Sequence, residues 1–399
     1  CDAKKNSPEL SSSATFIYLF ILLCVQSLVP PDPMARFHLN RRSPDEEFPD
    51  LRRNATLMGQ ILTPAMYRRQ FHRCTDSGVI FDDVIRPGLE EPGERCGPVS
   101  AGCVAGDAQS YILFCDFFDR VIEAYHKHKV DSQTPNSDFN HSNLKGSEDL
   151  DRSYVLGCEM TIVRSVEDYC FPIHCSRGER RQLLQLAKRA LQRFGEEDLP
   201  GQLHLLKDLD QEQQCALKLS PPSQFQLRTG AARDWPDARA VWLSDDNSLV
   251  VWINIEDHLK LVTTRHDADV AEAFKFIFAK LQKLGVIYSQ LRHPFIWKQQ
   301  LGWLSSSPTE VGTGFRVRIK LRLKLLPTQR RLQDVLIRLR LHMVSTESTG
   351  VYTVSNAGTF GESEVALTQL VVDGVKLLVN MEKILEKNGD IDELVPSQK

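Results

Sequence analysis

Residues 315–325 read FRVRIKLRLKL, an unbroken alternation of apolar and basic side chains. In an extended chain, successive side chains point to opposite faces. Phe315, Val317, Ile319, Leu321, Leu323 and Leu325 therefore share one face, and Arg316, Arg318, Lys320, Arg322 and Lys324 share the other. The run predicts a strand with one buried face and one wet, basic face. A second reading is open, because guanidinium forks match phosphate oxygens. Nucleic acid is disfavoured: no aromatic residues interleave with these charges, and the chain's net charge is only -3.

Other stretches supply neighbours for such a strand. AVWLSDDNSLVVWINIED (240–257) reads as two strands around a polar Asp-Asp-Asn turn. Helices are expected at LTPAMYRRQF (62–71), which opens with a Thr-Pro start signal, and along AQSYILFCDFFDRVIEAYHKH (108–128). CSRGERRQLLQLAKRALQRF (175–194) offers a Ser N-cap with an acid three residues on. DADVAEAFKFIFAKLQKL (267–284) has a fully apolar helical face, and VALTQLVVDGVKLLVNMEKILEK (365–387) is a long closing helix. KVDSQTPNSDFNHSNLKGSEDLDR (129–152) has few bulky residues and reads as a linker. The expected class is α+β: a small all-helical N-terminal domain, then a larger antiparallel sheet flanked by helices. The expected parts are residues 1–36 as an extra segment, 37–128 as the helical domain, 129–153 as linker and 154–399 as the sheet domain. Neither GxGxxG nor GxxxxGK[ST] occurs, which argues against Rossmann and P-loop nucleotide sites.

The ten cysteines all lie between residues 1 and 215, in no CxxC pair and no zinc-type spacing. So lopsided a set favours reduced thiols in the cytoplasm. FIYLFILLCVQSLV (16–29) is the exception, an apolar run suited to a signal peptide or a short membrane anchor. Its flanks are poor for that role: only Lys4 and Lys5 precede it, and Val29-Pro-Pro is a weak cleavage site. The expected start is therefore near Met34, with a secretory or membrane-anchored protein as the alternative. Asn54-Ala-Thr and Asn140-His-Ser are glycosylation-type triplets that matter only in a secreted chain.

Three polar stretches are candidate sites. WINIEDHLK (252–260) places Glu256 and Asp257 at the end of an apolar strand, to orient a substrate or to form a plain turn. In SSSPTEVGTG (305–314), Gly312 and Gly314 permit close backbone approach to an anion, or simply a hairpin. ARDWPDAR (232–239) reads as a buried ion-pair corner.

Taken with FDDVIRPGLEEPG, NLKGSEDLDRSYVL, HCSRGERR, ARDWPDARAVW, HPFIWKQQLGW and PTEVGTGFR, these stretches resemble the phosphagen (ATP:guanidino) kinase family, most closely its cytosolic muscle-type creatine kinases. The matching strings run in order from about residue 38 to 399. The resemblance implies reversible phosphoryl transfer between Mg-ATP and creatine, usually in a cytosolic dimer, with no directly bound metal. It implies an arginine cradle for the phosphates, an acid that aligns the guanidine and a reactive cysteine beside it.

At those positions the chain departs from the family. The first arginine pair falls on Glu159 and Thr161, with Arg164 matching an arginine downstream. Glu256 matches the catalytic glutamate, but its neighbour is Ile255, and Lys260 stands for a phosphate-binding arginine. Ser307 stands at the reactive cysteine, Arg316 matches a retained phosphate arginine, and Thr353 replaces an aspartate near the nucleoside. In the loop that closes over creatine, the apolar contacts reduce to Pro98 and Ala101. Between 214 and 232, and between 341 and 351, the chain is too short for the family's adenine-packing histidine and glycine-rich loop. A lost charge-assisted hydrogen bond costs about 1.5–3 kcal/mol. The expectation is a creatine kinase-like protein of weak or absent activity, with a non-catalytic structural or regulatory dimer partner as the alternative.

Overall fold

The computed structural model describes residues 43–94, 99–130, 137–217, 219 and 221–396. The apolar run at 16–29 and Pro98 lie outside the described residues. Residues 1–49 form a unit of their own, whose described part holds one helical turn, Pro44–Glu47.

From Asp50 onward, helices come first: α1 (Leu57–Ile61), α2 (Pro64–Gln70), α3 (Phe81–Glu90), α4 (Ala108–Leu113) and α5 (Cys115–His126). Thr63 caps α2, accepting a hydrogen bond from the Met66 amide, as the Thr-Pro signal predicts. The helix expected over 108–128 is interrupted at Phe114, which ends α4 and starts α5. Phe114, Phe117 and Phe118 are fully buried there, and Phe81 packs on Phe114 and Phe117. The stretch read as a linker is pinned to the larger part. Leu144 and Leu150 are buried, and Phe139 stacks on Phe278.

The sheet has eight antiparallel strands: β1 (Val155–Arg164), β2 (Gly201–Leu205), β3 (Ala240–Ser244), β4 (Val250–Ile253), β5 (Leu259–Arg265), β8 (Phe315–Arg322), β9 (Leu341–Ser345) and β10 (Val351–Asn356). A short ribbon of β6 (Trp297–Lys298) and β7 (Gly302–Trp303) lies outside it. The strand order is β2-β3-β4-β5-β1-β8-β10-β9, so β1 and β8 are neighbours near the middle. Among the described residues, six further α-helices follow β1: α6 (Arg177–Glu197), α7 (Gln211–Ala216), α8 (Gln224–Thr229), α9 (Val270–Gln290), α10 (Leu332–Arg338) and α11 (Glu364–Glu386). The apolar stripes of α6, α9 and α11 cover one face of the sheet and make the main core. Ser176 and Glu179 form the expected capping box of α6.

The founding alternation is realised in β8. Phe315, Val317, Ile319 and Leu321 are all 0% exposed. It stops at Arg322, and Leu325 is 39% exposed instead of facing the core. The buried Glu382 carboxylate accepts hydrogen bonds from the amides of Lys324, Leu325 and Leu326, turning the chain out of the strand. In the ARDWPDAR corner Arg239 is buried and Arg233 is exposed, while the buried Arg180 pairs with Asp234 at 3.3 Å. Arg239 is sealed, stacked on Trp235 and bonded to the Ala231 and Arg233 carbonyls. Asp237 lies nearer the surface, paired with Arg177 and Arg181.

Candidate active site

Register brings the site together. On β1, Glu159 and Thr161 face away from the core, opposite Arg318 and Arg316 of β8. On the other side, Val163 faces Lys260 of β5. The bend between β4 and β5 adds Glu256 and Asp257, and the loop 304–314 joins them through Ser306 and meets Arg316 through Thr309 and Glu310. These residues enclose a cavity of about 290 Å³, lined by Thr161, Glu256, Asp257, Lys260, Ser306, Ser307, Thr309, Glu310, Arg316 and Arg318. Sequence reasoning singled out Thr161, Glu256, Asp257, Lys260, Ser307 and Arg316, and the fold gathers all six. Glu159 adjoins them through Arg318.

Other expected site residues lie elsewhere. Arg164 falls on the core face of β1 with Cys158, Met160 and Ile162, and is 1% exposed. Its Nη1 donates to the carbonyls of Val163 and Thr313, and its guanidinium stacks 4.4 Å from the Trp303 ring centre. Burial pulls its pKa down to about 9, against the raising influence of Glu364. It is a brace and not a ligand contact. Thr353 pairs with Lys320 and Val344 across the β8-β10-β9 ladder, away from the cavity lining. Ala101 is buried, and its carbonyl accepts from the Met58 amide.

The cations that line the cavity are already partnered. Arg316 donates from Nε to Glu310 at 2.7 Å, from Nη1 to the Asn356 carbonyl at 3.0 Å and from Nη2 to the Thr309 carbonyl at 2.9 Å. Burial lowers its pKa, but Glu310 and, after it, Tyr125 offset this and hold the group above its ordinary value. Lys260 donates to Glu256 at 2.7 Å. Arg318 donates to Thr161 Oγ1 at 2.8 Å and to Glu159 at 3.4 Å. Asp257 is buried and accepts from the Ser306 amide at 2.8 Å and the Ser165 hydroxyl at 3.2 Å. Burial, with the charges of Glu256 and Glu310, pushes its pKa up to about 6 despite those hydrogen bonds. The Ser307 hydroxyl lies 2.8 Å from Thr309 Oγ1. Glu310 was missed as a site residue, and Arg318 entered only as part of the basic face of the strand, with no place in the site. Arg318 was findable, because it shares a strand face with Arg316.

The loop is anchored from behind. Tyr111 donates to the Ser305 carbonyl, the Ala105 amide to Ser306, and Thr359 Oγ1 to Thr309 and Val311. His126 sits 2.9 Å from the Pro308 carbonyl and accepts from the Thr359 amide; burial lowers its pKa to about 4. The two glycines serve this anchoring. At Gly312 (φ 101°) a Cβ would meet the Thr359 carbonyl at 2.6 Å, and at Gly314 (φ 59°) it would meet the Val163 carbonyl at 2.9 Å. Their close approach is to the protein's own backbone.

Helices leading into an antiparallel sheet, with cations and carboxylates gathered at its centre, match known proteins. The description "ATP:guanido phosphotransferase, N-terminal domain" matches residues 52–123, and its C-terminal catalytic domain matches residues 182–385. Creatine kinase M-type of Rattus norvegicus and of Homo sapiens are each 40% identical over 376 residues, spanning 91% of this chain and 98% of theirs. The crystal structure of lombricine kinase superposes with a TM-score of 0.80 at 30% identity, covering 90% of this chain and 100% of that one. The chain belongs to the ATP:guanido phosphotransferase family.

Proposed function

We propose that this chain is a creatine kinase-like phosphagen kinase homologue in which phosphoryl transfer between Mg-ATP and creatine is weak or lost. One observation carries the reading: Arg316, Arg318 and Lys260 are each paired with a carboxylate of the protein, Glu310, Glu159 and Glu256. Phosphoryl transfer depends on positioning and on positive charge at the phosphates. Here a polyphosphate meets no unpaired cation in the cavity lining, and Glu159 and Thr161 stand where the resemblance implies two arginines. As arranged, every cation of the pocket is opposed by a carboxylate that a triphosphate would have to displace. Mg2+ enters this reading with the nucleotide, as part of the substrate. Glu256, which the resemblance casts as the guanidine-aligning acid, is held by Lys260. The buried anchoring of the loop 304–314 supports the companion reading of a structural or regulatory dimer partner.

The test is a coupled ATP–creatine assay on the full chain, beside Glu159→Arg/Thr161→Arg. No turnover is expected from the unmodified chain, and measurable turnover there would sink the reading. A melting temperature unchanged by Mg-ADP is the expected companion result, since a ligand stabilises the state that binds it. Formation of mixed dimers with an active relative tests the partner reading. A cytoplasmic site is the location proposed with it. It draws support from the free thiols of Cys74, Cys103, Cys115, Cys158, Cys170 and Cys175. Among the described residues, no helix is long and apolar enough to cross a membrane.

A further inference from the structure

Arg318 is the pocket cation that the family resemblance does not supply. It stands opposite Glu159 in the β1–β8 ladder, and its Nη1 reaches back over β1 to Thr161 and Glu159. Its guanidinium therefore lies over the two positions where the chain lacks cations. Arg316 has every guanidinium nitrogen tied to protein oxygens, and Arg164 is sealed in the core. Arg318 differs from both. Its side chain is 30% exposed and lines the cavity, and among the described residues its Nε and Nη2 have no hydrogen-bond partner. Two donors of a planar fork are left for an anion that enters the cavity. At 3.4 Å, the contact to Glu159 is the longest of the three pocket ion pairs.

We propose that Arg318 is the anion-contacting residue of this pocket, reaching the phosphate chain of a nucleotide from β8 in place of the two cations absent from β1, and that Glu159 masks it through their ion pair. This rests on reading the cavity as the family's nucleotide site. It assigns Glu159 a role beyond a lost contact: a phosphate must displace its carboxylate to engage the fork fully, and must also approach its charge. Neutralising Glu159 while keeping its shape should release both obstacles, and replacing Arg318 should remove the benefit.

The experiment is a double-mutant cycle on the full chain, with inorganic pyrophosphate as the probe in isothermal titration calorimetry at low salt. Glu159→Gln is expected to tighten pyrophosphate binding about ten-fold. Adding Arg318→Gln should return affinity to within about two-fold of the parent. Circular dichroism melts report whether each variant is folded. If Arg318→Gln does not fold, Arg318→Lys in the Glu159→Gln background decides, since it keeps the charge and loses the fork. Several-fold weaker binding than Glu159→Gln alone supports the proposal. The proposal is overturned if Glu159→Gln leaves affinity unchanged, if the gain survives Arg318→Gln, or if Arg318→Lys binds as tightly. These outcomes are separate from turnover: activity of the unmodified chain would remove the reading of lost transfer without touching the cycle.

Discussion

The loop 304–314 has two sides, and they are built on different chemistry. Behind it, Arg164, His126, Thr359 and Tyr111 fix the loop through backbone carbonyls and a backbone amide, all from buried side chains. In front, Glu310, Glu256 and Glu159 cancel Arg316, Lys260 and Arg318. The first set positions a loop; the second decides what a ligand meets. Each buried contact behind the loop is tied to folding stability, because losing one leaves polar groups unsatisfied in a packed interior. The partly exposed pairs, Lys260–Glu256 and Arg318–Glu159, contribute little to folding. A chain can therefore change the charges of such a pocket while keeping the scaffold that held them, and the two sides should respond very differently to substitution.

The largest contrast lies between Arg164 on the core face of the sheet and Arg318 on its pocket face. Arg164→Ala should cost about 4 kcal/mol of unfolding free energy, from the cavity it leaves and from the unsatisfied Val163 and Thr313 carbonyls. Arg318→Ala should cost under about 1 kcal/mol, since its ion pair is partly exposed. Urea denaturation of the full chain measures both. Equal costs would erase the distinction between brace and pocket.

That contrast also shows what the sequence could and could not reveal. The alternation of β8 was plain, because a period of two needs no partner to be read, and it brought Arg316 and Arg318 to one face. The same rule applied to β1 separates Arg164 from Glu159 and Thr161, since 164 shares the parity of the buried Ile162. Matching Arg164 to a family motif hid that signal. The helix expected over 108–128 hid its break for another reason. The pattern stays apolar through Phe114, so nothing in the period marks the residue whose backbone (φ −108°, ψ 28°) ends one helix and opens the next. The ion pairs of the pocket were not legible, because Glu310 meets Arg316 only once the loop is folded back.

Asp257 gives a smaller effect with a sign that identifies the front of the loop. Its pKa rises from 3.8 to about 6. The folded state thus holds this proton more tightly than the unfolded chain does. The resulting stability is fully present below about pH 4 and is lost as pH rises through about 6. Asp257→Asn keeps an oxygen to accept from Ser306 and Ser165, both of which use Oδ1. Relative to the parent, the variant should gain about 2 kcal/mol between pH 4 and pH 7.5. His126, behind the loop, runs the other way. Its pKa is lowered from 6.5 to about 4, so its contribution is present above 6.5 and is lost as pH falls towards 4. Denaturation series at several pH values separate the two, and a variant whose advantage does not change with pH would show that Asp257 carries no buried charge.

The smallest effect is the most local. Ser307→Cys places a thiol at the front of the loop, where the Thr309 amide and hydroxyl can contact it. Stability should change by less than about 0.5 kcal/mol, since the volume change is slight and the side chain is only part-buried. Reactivity is the informative readout, because the thiolate is the nucleophile and nearby positive charge is what favours it. With Lys260, Arg316 and Arg318 each cancelled, and Glu256, Asp257 and Glu310 lining the same cavity, nothing there favours a thiolate. The new cysteine should react with iodoacetamide no faster than Cys74 and Cys115, the exposed free thiols that serve as controls within the same molecule. Peptide-resolved mass spectrometry gives all three rates from one experiment. A rate at position 307 ten-fold above the controls would mean that the front of the loop still carries an uncancelled positive field, and that the pairs described here open readily in solution.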